Sequence, residues 1–178
     1  MTVLSDFPET EVELVVSLPY RVGLHVSYAD DEEGEQDDEL EMAALEACLK
    51  AVADKNDGLV KEIALKSLSM KDKWPSWGNG VFNIEPLCKQ ASESVARVSS
   101  KEETKAYVKM VLEVASAVAQ AYGEFGEEQE EPQGFFGKAM SRIVGGFGGS
   151  DDAAHPMNIS AAEDSAISRI SSALKTSL

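Results

Sequence analysis

The chain has few cysteines, and their spacing suits neither a metal site nor a disulfide framework. Only Cys48 and Cys88 occur among 178 residues, and they are far apart. Cys48 lies among apolar residues in "MAALEACLKAV", which predicts a buried, reduced thiol. Hydrophobic residues make up 43% of the chain, enough for a core without cross-links. Cysteine content therefore gives no indication of an oxidising compartment.

Positive charge is also scarce. Sixteen lysines and arginines stand against 32 aspartates and glutamates, which gives a net charge of −16. Such a surface repels phosphate backbones and anionic lipid, so we expect no nucleic-acid partner and disfavour a membrane surface. Cations, or basic patches on another protein, match this charge, and solubility alone also explains it.

Long apolar runs are missing as well. No stretch reaches the roughly 18 apolar residues that a membrane-spanning helix needs. The first residues, "MTVLSDFPETEVEL", carry early acids and no basic region, unlike a signal peptide. The pattern predicts a soluble, cytoplasmic protein.

Catalytic motifs are absent from the sequence too. It contains no nucleophile elbow, phosphate loop or HExxH pattern. His25 lies among apolar residues and His155 in a predicted loop, so we assign both histidines structural roles. We therefore predict a protein that is not an enzyme.

Helical periodicity, in contrast, is abundant. Apolar residues recur at helical spacing in several segments, whereas 75–80, "PSWGNG", is predicted as a loop. The predicted helices span 37–58, 59–74, 81–99, 99–125 and 158–178. Nearly every well-defined element is helical, so the predicted fold class is all-α.

Two of these helices begin with the Ser-x-x-Glu pattern of a capping box. Ser100 with Glu103 opens one, and Ser160 with Glu163 opens the other. In the first, Tyr107 begins an apolar face wide enough to predict burial between several neighbouring helices.

The segment 9–31, "ETEVELVVSLPYRVGLHVSYADD", is ambiguous. Its apolar residues alternate, which favours strands, yet some of them also fit a helical face. Pro19 suits the first turn of a helix that would start near Leu18. Periodicity alone leans slightly toward strand.

Two parts of the chain share one plan: an apolar segment, an acidic stretch and then an amphipathic helix with a carboxylate in its first turn. In the first part, Ala29-Asp30-Asp31 precedes the helix over 37–58. In the second, "AYGEF" (121–125) precedes the helix over 158–178. The shared plan suggests an internal duplication of a helix–loop–helix unit.

These motifs resemble the tellurite-resistance TerB-like proteins, whose repeated signature is an apolar helix running into Ala-Asp-Gly-Glu and then a helix start of the form Ser-x-x-Glu. "VASAVAQAYGEF" resembles the first part, with Tyr122 in the aspartate position, and "NISAAEDSAISRISSAL" resembles the second. In the first half Ala29 and Asp30 match, Asp31 stands in place of glycine, and Glu39 or Glu41 takes the place of the later glutamate.

The resemblance implies one compact domain over 1–178, a bundle of about seven helices with two pseudo-repeated halves. It favours helix for the ambiguous segment. An acidic and glycine-rich insertion at about 126–157 departs from the family, which has a short turn there. The family is associated with stress responses and with acidic surface sites proposed to bind metal ions.

The acidic segments could therefore hold a divalent cation such as Ca²⁺, which takes carboxylate oxygens as ligands. The 30–39 cluster is not an EF-hand, because Ala29 and Leu40 fall where its first and last ligands belong. The alternative interpretations are a solvated acidic loop and, for the last ligand, a capping role alone. The predicted ligands are Asp30, Asp31, Glu39, Glu124 and Glu163.

The alternative function is a protein-interaction module that binds no ion. Its surface would be the phenylalanine-rich segment 135–147 together with the two tryptophans, unless the tryptophans pack as a lid on the bundle. Nothing in the pattern predicts an oligomeric state. The predicted partner-binding residues are Phe135, Phe136, Met140, Ile143, Trp74 and Trp77.

Overall fold

The computed structural model describes residues 1–29, 35–124 and 160–175, with side chains except at 35–40 and 122–124. Within these ranges it contains seven α-helices and no β-strand, which confirms the predicted all-α bundle. The helices are α1 (Glu9–Ser27), α2 (Glu35–Lys55), α3 (Gly58–Ser69), α4 (Trp74–Trp77), α5 (Ile84–Val98), α6 (Lys101–Glu124) and α7 (Ala161–Leu174). None of them is both long and apolar enough to cross a membrane. The single-domain boundary 1–178 stays a prediction, because the insertion at 126–157 lies outside the described residues.

Helix α1 lies at the centre of the bundle. From Val15 to Ser27 every residue except Arg21 is buried, and the helix packs against α3, α5 and α6. The slight preference of its periodicity for strand is therefore wrong. A helix buried on all sides has no polar face, so its apolar residues satisfy both spacings at once.

Pro19 lies inside α1 rather than in its first turn, because the helix already begins at Glu9. An interior proline has no amide hydrogen for the carbonyl four residues earlier, here the carbonyl of Val15. The Tyr107 hydroxyl, from α6, donates to this oxygen at 3.0 Å. Burial raises the pKa of Tyr107 well above its usual value, so the hydroxyl keeps the proton that it donates.

Gly23 allows α1 to approach two helices closely. A Cβ atom at this position would lie 2.5 Å from Leu45 Cδ1 of α2 and 3.3 Å from Val118 Cγ2 of α6. No side chain fits there without displacing a buried neighbour. This glycine therefore fixes the distance between the central helix and the α2–α6 pair.

The predicted helices at the carboxyl side agree with the structure. In α6 the Ser100–Glu103 capping box is formed, and the predicted apolar face is buried from Tyr107 onward. In α7 the buried positions include Ile170 and Leu174, and Ala166 is more deeply buried than Ile167.

The predicted loop over 75–80 is partly wrong. Trp74–Trp77 forms one turn of α-helix, α4, before the chain turns through Gly80 in the left-handed conformation. Pro75 occupies the start of this turn, where its missing amide hydrogen costs nothing.

Candidate functional site at the starts of the acidic helices

Glu163 is the one predicted metal ligand whose side chain the structure describes. Its carboxylate accepts from the Ser160 backbone amide at 2.9 Å, and Ser160 Oγ accepts from the Glu163 amide at 3.2 Å. The capping box is thus confirmed. The side chain is also only 5% exposed, since Glu163 heads the buried face of α7 that continues through Ala166 and Ile170.

Glu103 closes the same kind of capping box at the start of α6 and can be compared with Glu163. It accepts from the Ser100 amide at 3.0 Å, and it also holds the amide and hydroxyl of Thr2 at 2.8 and 3.0 Å. Backbone hydrogen bonds from Thr2 and then Ser100 lower its pKa to about 2. Its side chain nonetheless remains partly exposed, so a capping box alone does not require the burial seen at Glu163.

Glu41, in the second turn of α2, is another buried carboxylate. It is only 2% exposed, and Ala44 and Leu45, one turn further along α2, are buried as well. Both helices, α2 and α7, contain a buried Glu-x-x-Ala pair, Glu41–Ala44 and Glu163–Ala166. Glu41 is the alternative to Glu39 for the later glutamate of the first half. Because the side chain of Glu39 is not described, the choice between the two stays open.

The distances from Glu41 and Glu163 to the other predicted ligands are not defined by the structure. Asp30 and Asp31 lie outside the described residues. Glu39 and Glu124 belong to α2 and to the last turn of α6, but their side chains are not described. Among the side chains that are described, no three histidines, cysteines, aspartates or glutamates cluster in a way that could hold a metal ion.

No family model, curated protein or solved structure matches the chain. The TerB-like resemblance therefore stays a prediction.

Cys48 is a buried free thiol, which confirms the prediction, and Cys88 is a buried free thiol as well. Burial raises the pKa of both Cys48 and Cys88 to about 12. Each thiol is thus neutral at physiological pH, whereas metal binding and nucleophilic attack need the thiolate.

His25 is buried, as its apolar surroundings predict. Its Nδ1 lies 2.8 Å from the Val81 carbonyl oxygen. Because a carbonyl can only accept, Nδ1 carries the hydrogen and donates it. The imidazole thereby anchors the turn after α4 to α1. His155 lies outside the described residues.

A third buried glutamate, Glu113, lies in the middle of α6. Lys109 Nζ is 3.4 Å from its Oε1, an ion pair without hydrogen-bond geometry. Burial raises the pKa of the Glu113 carboxyl, and Lys109 offsets this only in part. A single carboxylate with a lysine beside it is a poor cation site, so we do not include it.

Both tryptophans pack into the bundle, in agreement with the lid interpretation. Trp74 is 9% and Trp77 1% exposed. Trp77 Nε1 donates to Glu13 at 3.0 Å, Trp74 Nε1 to the Ser67 carbonyl at 3.2 Å, and Trp74 stacks on Tyr20. Their rings have almost no surface left for a partner. The remaining predicted partner-binding residues, Phe135, Phe136, Met140 and Ile143, lie outside the described residues.

Proposed function

We propose that the protein is a non-enzymatic, acidic helical bundle that binds a divalent cation, with Ca²⁺ the best match, in a stress-response role like that associated with TerB-like proteins. The observation that carries the proposal is the burial of two carboxylates, Glu41 in the second turn of α2 and Glu163 in the first turn of α7. The acidic stretches 30–39 and 124–131 lie on the amino-terminal side of these two residues in the sequence.

Burial of a carboxylate costs free energy unless hydrogen bonds or a cation compensate it. Glu163 accepts a hydrogen bond from the Ser160 amide. A carboxylate has two oxygens and about four acceptor sites, so a group that already has hydrogen-bond partners can also contact a cation. Asp30, Asp31, Glu39 and Glu124 stand in the adjoining acidic stretches and would complete a set of oxygen ligands of the kind that Ca²⁺ takes.

Thermal unfolding, first in chelator and then with Ca²⁺, Mg²⁺, Mn²⁺ or Zn²⁺ added in turn, tests the proposal. An ion at about a hundred times its dissociation constant stabilises the folded state by about 2.7 kcal/mol, which is several degrees for a chain of this size. We expect a saturable shift for one ion that persists in moderate salt. It should disappear in Glu163→Gln, in Glu41→Gln and in the double variant Asp30→Asn with Asp31→Asn.

Glu103→Gln is the matched control, because Glu103 occupies the same position of an identical capping motif. This variant should keep the full ion-dependent shift. An equal small rise with every divalent ion would indicate only screening of the −16 charge. Such a uniform rise would contradict the proposal, and so would the absence of any shift. The proposal would also be contradicted if Glu103→Gln and Glu163→Gln lost the ion-dependent shift equally.

A further inference from the structure

The turn after α4 places an asparagine directly before a glycine. Asn79 and Gly80 are both exposed. In an Asn-Gly pair the backbone amide nitrogen of the second residue can approach the side-chain carbonyl carbon of the first, because glycine has no side chain to hinder it. A Cβ atom at Gly80 would have no neighbour within 4 Å among the described residues. The surrounding structure therefore leaves this approach open as well.

The two groups that would react are free of other contacts. The Asn79 amide donates to the Ser76 carbonyl at 3.3 Å, and the Gly80 carbonyl accepts a bond of 3.2 Å from the amide of the third residue after it. Among the residues that the structure describes, however, neither the Asn79 carboxamide nor the Gly80 amide has a hydrogen-bond partner. Nucleophile and electrophile are thus both available.

A cation contacts the peptide group that joins these two residues. Arg21 Nη1 donates to the Asn79 carbonyl oxygen at 3.3 Å, while its Nε donates to Ser17 Oγ at 3.0 Å. When the Gly80 amide loses its proton, the negative charge spreads through the peptide group onto this same carbonyl oxygen. A guanidinium beside the oxygen stabilises that anion. Arg21 therefore increases the population of the nucleophilic form.

The other two asparagines with a described environment lack this combination. Asn56 Nδ2 donates to the Val52 carbonyl at 2.8 Å, which holds the carboxamide in place. Asn83 is exposed, but the next residue is Ile84, whose side chain is fully buried. A branched side chain fixed in the core prevents the Ile84 amide from turning toward the carboxamide.

From this combination we propose that Asn79 is a site of spontaneous deamidation promoted by Arg21. The Gly80 amide gives its proton to hydroxide or water, and its nitrogen forms a bond to Cγ of Asn79. The Cγ–Nδ2 bond breaks, and ammonia leaves with a proton taken from water. Water then opens the resulting succinimide at either carbonyl, which gives aspartate or isoaspartate. The net reaction consumes water, releases ammonia and transfers no electrons.

The reaction would change both charge and backbone length beside α1. Arg21 forms no ion pair within the described ranges, since the carboxylate that interacts with it, Glu13, is bonded to Lys73 and Trp77. Either product would supply a negative charge next to Arg21. Isoaspartate would also add a methylene to the main chain, just before the turn that His25 anchors through the 2.8 Å bond to the next carbonyl but one.

Incubation of the full chain at neutral and mildly alkaline pH, followed by peptide mass spectrometry, tests the proposal. We expect the peptide that contains Asn79 to gain the mass difference between an amide and an acid, and fragmentation to show both aspartate and isoaspartate. The rate should rise with pH, because the deprotonated amide is the nucleophile. Asn56 and Asn83 should stay unchanged over the same period.

Arg21→Met removes the guanidinium, keeps a side chain of similar length and should slow the reaction about fivefold, the effect of losing one hydrogen bond. Arg21→Lys returns a positive charge and should recover part of the rate. Arg97→Met removes a cation that pairs with Glu11 instead and should leave the rate unchanged. In urea, wild type and Arg21→Met should react equally fast, because the contact no longer exists. Unfolding curves verify that each variant is folded.

Three results would overturn the proposal. The first is an intact Asn79 in the folded chain when the urea-unfolded chain deamidates there, since the turn would then protect the residue. The second is an equal rate in folded wild type, Arg21→Met and Arg21→Lys. The third is faster deamidation of Asn56 or Asn83 than of Asn79 in the folded chain.

Discussion

Helices α1 and α6 are the two long helices in the middle of the bundle, and they pack against each other, yet they are built differently. Helix α6 begins with a complete capping box and contains many good helix formers, among them lysine, glutamate, alanine and leucine. Helix α1 begins after Pro8 without a side-chain cap and carries Pro19 and Gly23 in its interior, the two residues least favourable in a helix.

The contrast shows that the two helices owe their conformation to different sources. Helix α6 is supported by its own sequence. Helix α1 is imposed by its surroundings, because burial of its apolar residues and the hydroxyl of Tyr107 compensate for poor local propensity. Substitutions at the contacts between them should therefore harm α1 more than α6.

The largest effect is expected where α1 touches both neighbours. Gly23→Leu should destabilise the protein by about 3 kcal/mol, since the new side chain would overlap Leu45 and Val118 in a packed core. Urea unfolding measures the loss. Lys105→Leu adds leucine at an exposed position of α6 and should change stability by less than about 0.5 kcal/mol. Similar losses in the two variants would show that the close approach at Gly23 is unimportant.

The next largest loss of stability is expected on removing the hydrogen bond from Tyr107 to the Val15 carbonyl, the oxygen that Pro19 leaves without an amide donor. Tyr107→Phe leaves the buried Val15 carbonyl without its donor and should cost about 1–3 kcal/mol. Pro19→Ala returns an amide hydrogen to the helix, so Tyr107→Phe should cost clearly less in that background. A double-mutant cycle measures the coupling. Strictly additive effects would mean that Tyr107 does not substitute for the missing amide.

The smallest effect concerns the buried Glu113 of α6. Its pKa is raised in the folded state, so the protonated carboxyl favours folding and this contribution is lost as pH rises through the raised pKa. Glu113→Gln, which stays neutral, should thus be more stable than wild type near pH 7. The gain should vanish below the ordinary carboxyl pKa of about 4.3. Thermal unfolding across this range tests it, with exposed Glu102→Gln as control. A gain that does not depend on pH would rule out the charge as its cause.

The sequence was sufficient to predict α6, α7 and both of their capping boxes, because each helix has one wide apolar face and a local start signal. It was insufficient for α1. When every side of a helix is apolar, the pattern carries no information on its period, and the donor to Val15 lies 92 residues away. Local rules could not supply that contact.

The candidate site likewise has one part that the sequence could predict and another that it could not. Glu163 could be found from Ser-x-x-Glu, a local motif with a defined geometry. The burial of Glu41 could not be predicted from the loose spacing of the acidic segment, because it depends on how α2 packs. The burial of the tryptophans likewise depends on contacts with Glu13 and Tyr20, which are remote in sequence.

The bond between Tyr107 and Val15 also restricts the order in which this sequence can have arisen. If proline had entered position 19 while position 107 had no hydroxyl, a core carbonyl would have lost its donor at once. If tyrosine came first, it would have been tolerated beside an ordinary helix, and proline could follow at little cost. Once both were in place, loss of the tyrosine alone became harmful. Pro19 thus makes Tyr107 indispensable, so the pair is easier to acquire in the order tyrosine then proline than to lose one residue at a time.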